Sequence, residues 1–90
     1  MNLFVATGHV KTVPERRTSA AGKPIVYFTL EVEDEIFPGR SRYAVAAIDR
    51  LADYALANLH PGSEVFVQGR LRSNDSGATI FARHVRAFVL

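Results

Sequence analysis

Nine of the eleven basic side chains are arginine, and lysine occurs only at positions 11 and 23. A guanidinium donates in a planar fork that matches phosphate and also lies flat on rings, so this bias fits nucleic acid or an ion-paired interface. Arg16, Arg17, Arg40, Arg42, Arg70, Arg72, Arg83 and Arg86 fall on or beside segments with strand character. Binding a single strand without sequence preference needs such cations interleaved with flat side chains on which bases stack. Three rings qualify by position. Tyr27 alternates with Val26 and Phe28, which puts it outside the core or in a subunit interface. Tyr43 shares a side with Val45 and Ala47 and reads as core, while Phe37, beside Pro38-Gly39, is either a stacking platform or a small hydrophobic plug. The same arginines would serve equally as a solvated surface paired with Glu31, Glu33, Asp34 and Glu35, or reflect codon usage alone.

Other chemistries find little support. Glu31 and Glu33 share a strand face and no calcium-loop spacing follows them, so the acidic run reads as a solvated strand end that would repel phosphate. His9, His60 and His84 lack the spacing of a zinc site; His60 suits a helix C-terminus, and the other two read as ordinary strand residues. Ser41, Ser63, Ser73 and Ser76 lie outside any nucleophile-elbow pattern, and no glycine-rich phosphate loop is present. The absence of cysteine removes disulfides, thiolate metal sites and thiol nucleophiles together. The expectation is a binding protein and not an enzyme, with no cofactor and no metal.

The elements that must position these residues are mostly strands. A chain of 90 residues, 48% hydrophobic, suits one domain spanning 1–90 and is too apolar for a disordered tail. No apolar run approaches the ~18 residues of a membrane span and no signal-peptide pattern opens the chain, so no membrane contact and a cytoplasmic, nucleoid-associated location are expected. Leu3 to Val13 predicts a strand bending at Gly8, and Pro14 ends it. Glu15 to Pro24 has loop chemistry, with a turn at Ala20-Ala21-Gly22. Ile25 to Glu33 alternates cleanly, with Val26, Phe28, Leu30 and Val32 on one face. A third strand covers Ser41 to Ile48. Asp49 is placed to cap a helix from Arg50, whose stripe is Leu51, Ala55 and Leu59, and His60-Pro61-Gly62 stops it. Two strands, Glu64 to Arg72 and Ala78 to Val89, flank a turn at Ser73–Gly77. Five strands with a helix between the third and fourth match the plan of the OB-fold, a Greek-key barrel, though other five-stranded arrangements share that order.

Particular residues then resemble the bacterial single-stranded-DNA-binding proteins. Asn2 to Gly8 with Pro14-Glu15 resembles that family's first strand and its step into the first loop. Gly22 and Phe28-Thr29-Leu30 sit where the family has a turn glycine and a similar triplet. The strongest likeness runs from Arg50-Leu51-Ala52-Asp53 to Leu59 and through Pro61-Gly62-Ser63-Glu64-Val65-Phe66-Val67-Gln68-Gly69-Arg70-Leu71-Arg72. Primosomal replication protein N is a more distant relative, similar in its barrel but without the helix.

The resemblance implies single-stranded DNA as ligand, with RNA offering the same chemistry, and roles in DNA replication, recombination or repair. Family tryptophans that stack bases fall by position at Arg42 and near Ile36-Phe37; a third is lost with the shortened hairpin at Ser73–Gly77, and a stacking phenylalanine falls at Ile48. The nucleic-acid-binding set expected here is Arg16, Arg17, Tyr27, Phe37, Arg40, Arg42, Ile48, Arg70 and Arg72. An OB-fold protein-interaction or primosome-type module with weakened DNA affinity is the alternative. A homodimer or homotetramer is expected through Leu3, Val5, Ile25 and Tyr27. The family's acidic tail has no counterpart before Leu90, so tail-mediated recruitment of replication proteins is not expected.

Overall fold

The computed structural model describes residues 1–75 and 77–88. Six strands and one helix follow in the order β1 (Phe4–Val10), β2 (Glu15–Thr18), β3 (Pro24–Glu33), β4 (Arg40–Ile48), α1 (Arg50–Asn58), β5 (Glu64–Asn74) and β6 (Gly77–Ala87). The neighbours β1-β5-β6-β4-β3 form a ring that a short β1–β3 pairing, His9↔Glu31 and Val10↔Leu30, closes. This is the five-stranded OB barrel. All its pairings are antiparallel except β4–β6, which is parallel. Closure leaves few bare strand edges, which a flat sheet of this length would expose.

Three expectations need correction. The segment Glu15–Thr18 is a strand and not part of a loop: it pairs with β3 from Glu15↔Tyr27 to Thr18↔Pro24, beside the barrel. All four of its residues are exposed, so no hydrophobic alternation marks it, and backbone bonds to β3 hold it in place. The helix consequently lies between the fourth and fifth strands. The first strand stops at Val10 instead of running to Val13, because Val10 N donates to Ser63 O and Lys11 N to Thr29 O, which carries the chain from β5 to β3. Finally, Asp49 makes no side-chain cap at α1. It sits at φ 58° and its carboxylate meets Lys23 Nζ at 3.7 Å, while its carbonyl accepts from Asp53 N.

The last hairpin is also tighter than its composition suggests, since β5 runs on to Asn74, which faces Gly77. The expected turn residue Ser76 and the strand end at Val89 lie outside the described residues.

Inside the ring, Val10, Val26, Phe28, Leu30, Val45, Ala47, Val65, Val67, Ile80 and Val85 form one buried cluster. Ala52, Ala55 and Leu59 of α1 complete the cluster from the helix side, and Tyr54 Oη accepts from Ala87 N at 2.9 Å to tie the helix to β6. Burying each Val, Leu, Ile or Phe is typically worth about 1.5–3 kcal/mol, so the alternation read from β3 supplies much of the driving force. Tyr43 packs as expected of a core ring, edge-on to Phe4 with centroids 5.0 Å apart. Gly8 bends β1 where it crosses β3: a methyl there would run into the Glu31 carbonyl. Asn2 extends the same strand, its amide bonding both the N–H and the carbonyl of Leu71 at 2.9 and 2.6 Å.

Candidate nucleic-acid interface

Residues aligned across paired strands present side chains to the same face of a sheet. Opposite the core, the register therefore builds one continuous outer surface over β2, β3, β4, β6 and β5. Arg17, Ile25 and Ile48 form one row across it. Tyr27, Ala46, Phe81 and Arg70 form the next, then Thr29, Ala44, Thr79 and Arg72, then Glu31 and Arg42. Six of the nine expected binding residues thus meet on one face: Arg17, Tyr27, Arg42, Ile48, Arg70 and Arg72.

The other three are placed differently. Arg16 is aligned with the core residue Val26 and projects from the opposite side of β2. Phe37 sits in the β3–β4 loop with 69% of its surface exposed, beside Ile36 at 83%, so it is no hydrophobic plug. Asp34 shapes that loop by accepting from Phe37 N and Ile36 N at 2.9 and 2.7 Å, bonds that hold its carboxyl below the usual range. Arg40 reaches the outer face at its edge, but its fork is occupied: Nη1 meets Glu31 at 3.1 Å and Nη2 meets Glu33 at 3.5 Å. Arg83 and Arg86 lie farther along β6, past the bulge opposite Gln68 and Gly69.

Glu31 departs most from its expected role. It is not a solvated end of the acidic run but 7% exposed, held by Arg42 Nε at 3.1 Å, Arg40 Nη1 at 3.1 Å and Lys11 Nζ at 3.8 Å. Glu33, Asp34 and Glu35 are exposed as expected. Burial pushes the Glu31 carboxyl upward, yet the hydrogen bond from Arg42 and the charges of Lys11 and Arg40 outweigh it and leave the group below its ordinary value of 4.5. A carboxyl depressed in the folded state stabilises above its unfolded pKa and loses that contribution as pH falls through the folded one. Stability should therefore hold from neutral pH to about 5 and decline below it, and Glu31→Gln should flatten part of that decline. Urea midpoints for both proteins at neutral and acid pH check this.

Aromatic and cationic groups alternate on the outer face. Arg17 Cζ lies 5.6 Å from the Tyr27 ring centre, and Arg72 Cζ lies 6.0 Å from that of Phe81, both within cation–π range. Among the described residues Arg17 is otherwise engaged only by exposed Glu15 at 3.3 Å, a pair of the kind that contributes little and that salt screens. Arg70 and Arg72 have no ion-pair partner among the described residues. Phe81 is the residue of this face that the sequence reading leaves out. Its signal is the alternation Thr79, Phe81 against buried Ile80, which the adjacent exposed pair Arg83 and His84 at the bulge breaks.

Known proteins agree with this architecture. The model of the single-strand binding protein family matches residues 1–79. The chain belongs to that family. The small single-stranded DNA-binding protein of Streptomyces coelicolor superposes with a TM-score of 0.87 at 33% identity, covering 99% of this chain and 96% of that one. The dimeric N-terminal domain of PriB from Thermoanaerobacter tencongensis gives 0.81 at 26% identity, covering 99% and 98%. Single-stranded DNA-binding protein 1 of Chlorobaculum tepidum is 29% identical over 81% of this chain, which spans about half (49%) of that relative's length. Among the described residues no three potential metal ligands converge, and no helix is long and apolar enough to cross a membrane.

Proposed function

We propose that this protein binds single-stranded DNA without sequence preference, neutralising phosphates with arginines and stacking bases on the rings between them. The observation that carries this reading is the outer face itself, where Arg17, Arg42, Arg70 and Arg72 surround Tyr27, Phe81 and the small, exposed Ala44. A positive surface with half-buried rings that keep part of their area in solvent meets the two requirements of sequence-tolerant strand binding. Family membership and the named relatives support the same ligand, and a role in replication, recombination or repair in the cytoplasm follows from it.

The second reading, a primosome-type interaction module, draws on the likeness to the PriB domain and on the absence of tryptophan. Fluorescence anisotropy with labelled oligo-dT and a matching duplex, at low and moderate salt, separates the two. Tighter binding to the single strand is expected. Equal binding to both ligands at both salts would favour the interaction module.

A homodimer or homotetramer goes with this function. Leu3 and Val5 are 58% and 52% exposed at β1, whereas Ile25 and Tyr27 stand on β3 between β2 and β4, a different side of the barrel. The β1 pair is the better candidate contact, because it leaves the outer face open to the strand. Light scattering that finds only the 9.9-kDa monomer at tens of micromolar would remove the oligomer.

A further inference from the structure

We infer that Glu31 is a positioning residue for nucleic-acid binding: its buried carboxylate holds Arg42 with the donor fork open to a phosphate, an assignment that rests on the single-strand-binding function proposed above. Glu31 stands on the outer side of β3, beside the seam where β1 closes the barrel. The interior does not need it there, because Val10 and Leu30, both 0% exposed, already close the seam. A carboxylate out of water is costly unless it is paired and hydrogen-bonded, so a buried one that serves no core points to the groups around it.

Those groups divide by what their contacts leave free. Arg40 uses both arms of its fork, Nη1 on Glu31 at 3.1 Å and Nη2 on Glu33 at 3.5 Å. Lys11 Nζ adds a second positive charge 3.8 Å from Glu31. His9, aligned with Glu31 across the seam, turns instead to Glu64 at 3.7 Å. Glu31 and Glu33 thus face two cations before Arg42 is counted, which leaves the charge of Arg42 in surplus. Arg42 touches Glu31 through Nε alone, and neither of its Nη groups has an acceptor among the described residues. Of the four outer-face arginines it is the one anchored by a buried acid: Arg17 has exposed Glu15, and Arg70 and Arg72 have no ion-pair partner among the described residues. Fixing one edge of the guanidinium while its other donors stay in solvent orders the side chain before a phosphate arrives, so less freedom is lost on binding. Lys11 and Arg40 then supply counter-charge and not contacts.

The sign of one substitution separates this role from a simple charge effect. Removing an acid beside a phosphate-binding face should raise affinity if the acid only repels the strand. On the positioning account Glu31→Gln, similar in size but uncharged, should instead weaken oligo-dT binding about 2- to 10-fold at neutral pH, the range for ordering one long side chain. In an Arg42→Ala background the same change should leave affinity equal or higher, because no guanidinium remains to be oriented. Urea midpoints establish that each variant is folded in the assay. An equal effect in both backgrounds overturns the inference and leaves the function standing: a shared loss would make Glu31 a purely structural residue, a shared gain a repelling charge, and no effect a bystander. Side-chain NMR of the wild-type protein gives a second reading that needs no variant. The Arg42 Nε–H should exchange with water more slowly than those of Arg70 and Arg72, and equal rates overturn the anchor. A wild-type protein that ignores the single strand overturns the function and the inference together.

Discussion

Raising salt from about 50 to about 200 mM should weaken binding to oligo-dT roughly 50-fold or more. Each phosphate neutralised on a single strand adds roughly −0.7 to the slope of log affinity against log salt, while stacked bases add almost nothing. Four contacts give a slope of about −3, and the outer face offers four arginines: Arg17, Arg42, Arg70 and Arg72. Arg70 and Arg72 are without ion-pair partners among the described residues, so no carboxylate competes with phosphate for their charge. Replacing either with alanine should shallow the slope by about 0.7 and weaken binding to all sequences alike. Arg16 is the internal control. It projects from the other side of β2, so Arg16→Ala should leave the slope in place if the outer face is the binding surface. A flat salt dependence with measurable affinity would instead assign the binding to the rings.

What was readable in advance follows from how each residue is held. The alternation of Val26, Phe28, Leu30 and Val32 is visible in one dimension, and the barrel interior is built on it. Glu15–Thr18 left no such trace, since an edge strand with every side chain in water is specified by its partner's backbone. Glu31 could not be recognised as buried because its cover comes from Lys11, Arg40 and Arg42, and only the register Glu31↔Arg42 brings the last of these across. The same is true of the outer face: Tyr27 and Phe81 are 54 positions apart in sequence, and the parallel β4–β6 pairing, which no local pattern announces, sets them on one side of the sheet. Local propensity thus predicts most elements, while the candidate face is assembled by pairings between distant strands.

Arg42→Ala is expected to lower oligo-dT affinity about tenfold, and the structure explains why a single arginine should count for that much. Glu31 takes the Nε hydrogen of Arg42 at 3.1 Å, a contact that fixes the guanidinium plane and leaves both Nη groups free, with 67% of the side chain exposed. A guanidinium held in this way is pre-organised both to donate to phosphate and to stack on a base, and it loses little freedom on binding. Its neighbour on the face, Ala44, is small and exposed and does not block the approach. Arg42→Lys separates the two roles, because lysine keeps the charge but has no plane. It should preserve the salt slope and still lose several-fold in affinity. Ile48→Phe tests the same face from the gain side: a ring beside Ile25 and Arg17 adds a platform that should tighten binding by at least the ~5-fold of a weak stack. If Arg42→Lys equals wild type and Ile48→Phe gains nothing, only charge acts at this end of the face, and base stacking is confined to the strands that carry Tyr27 and Phe81.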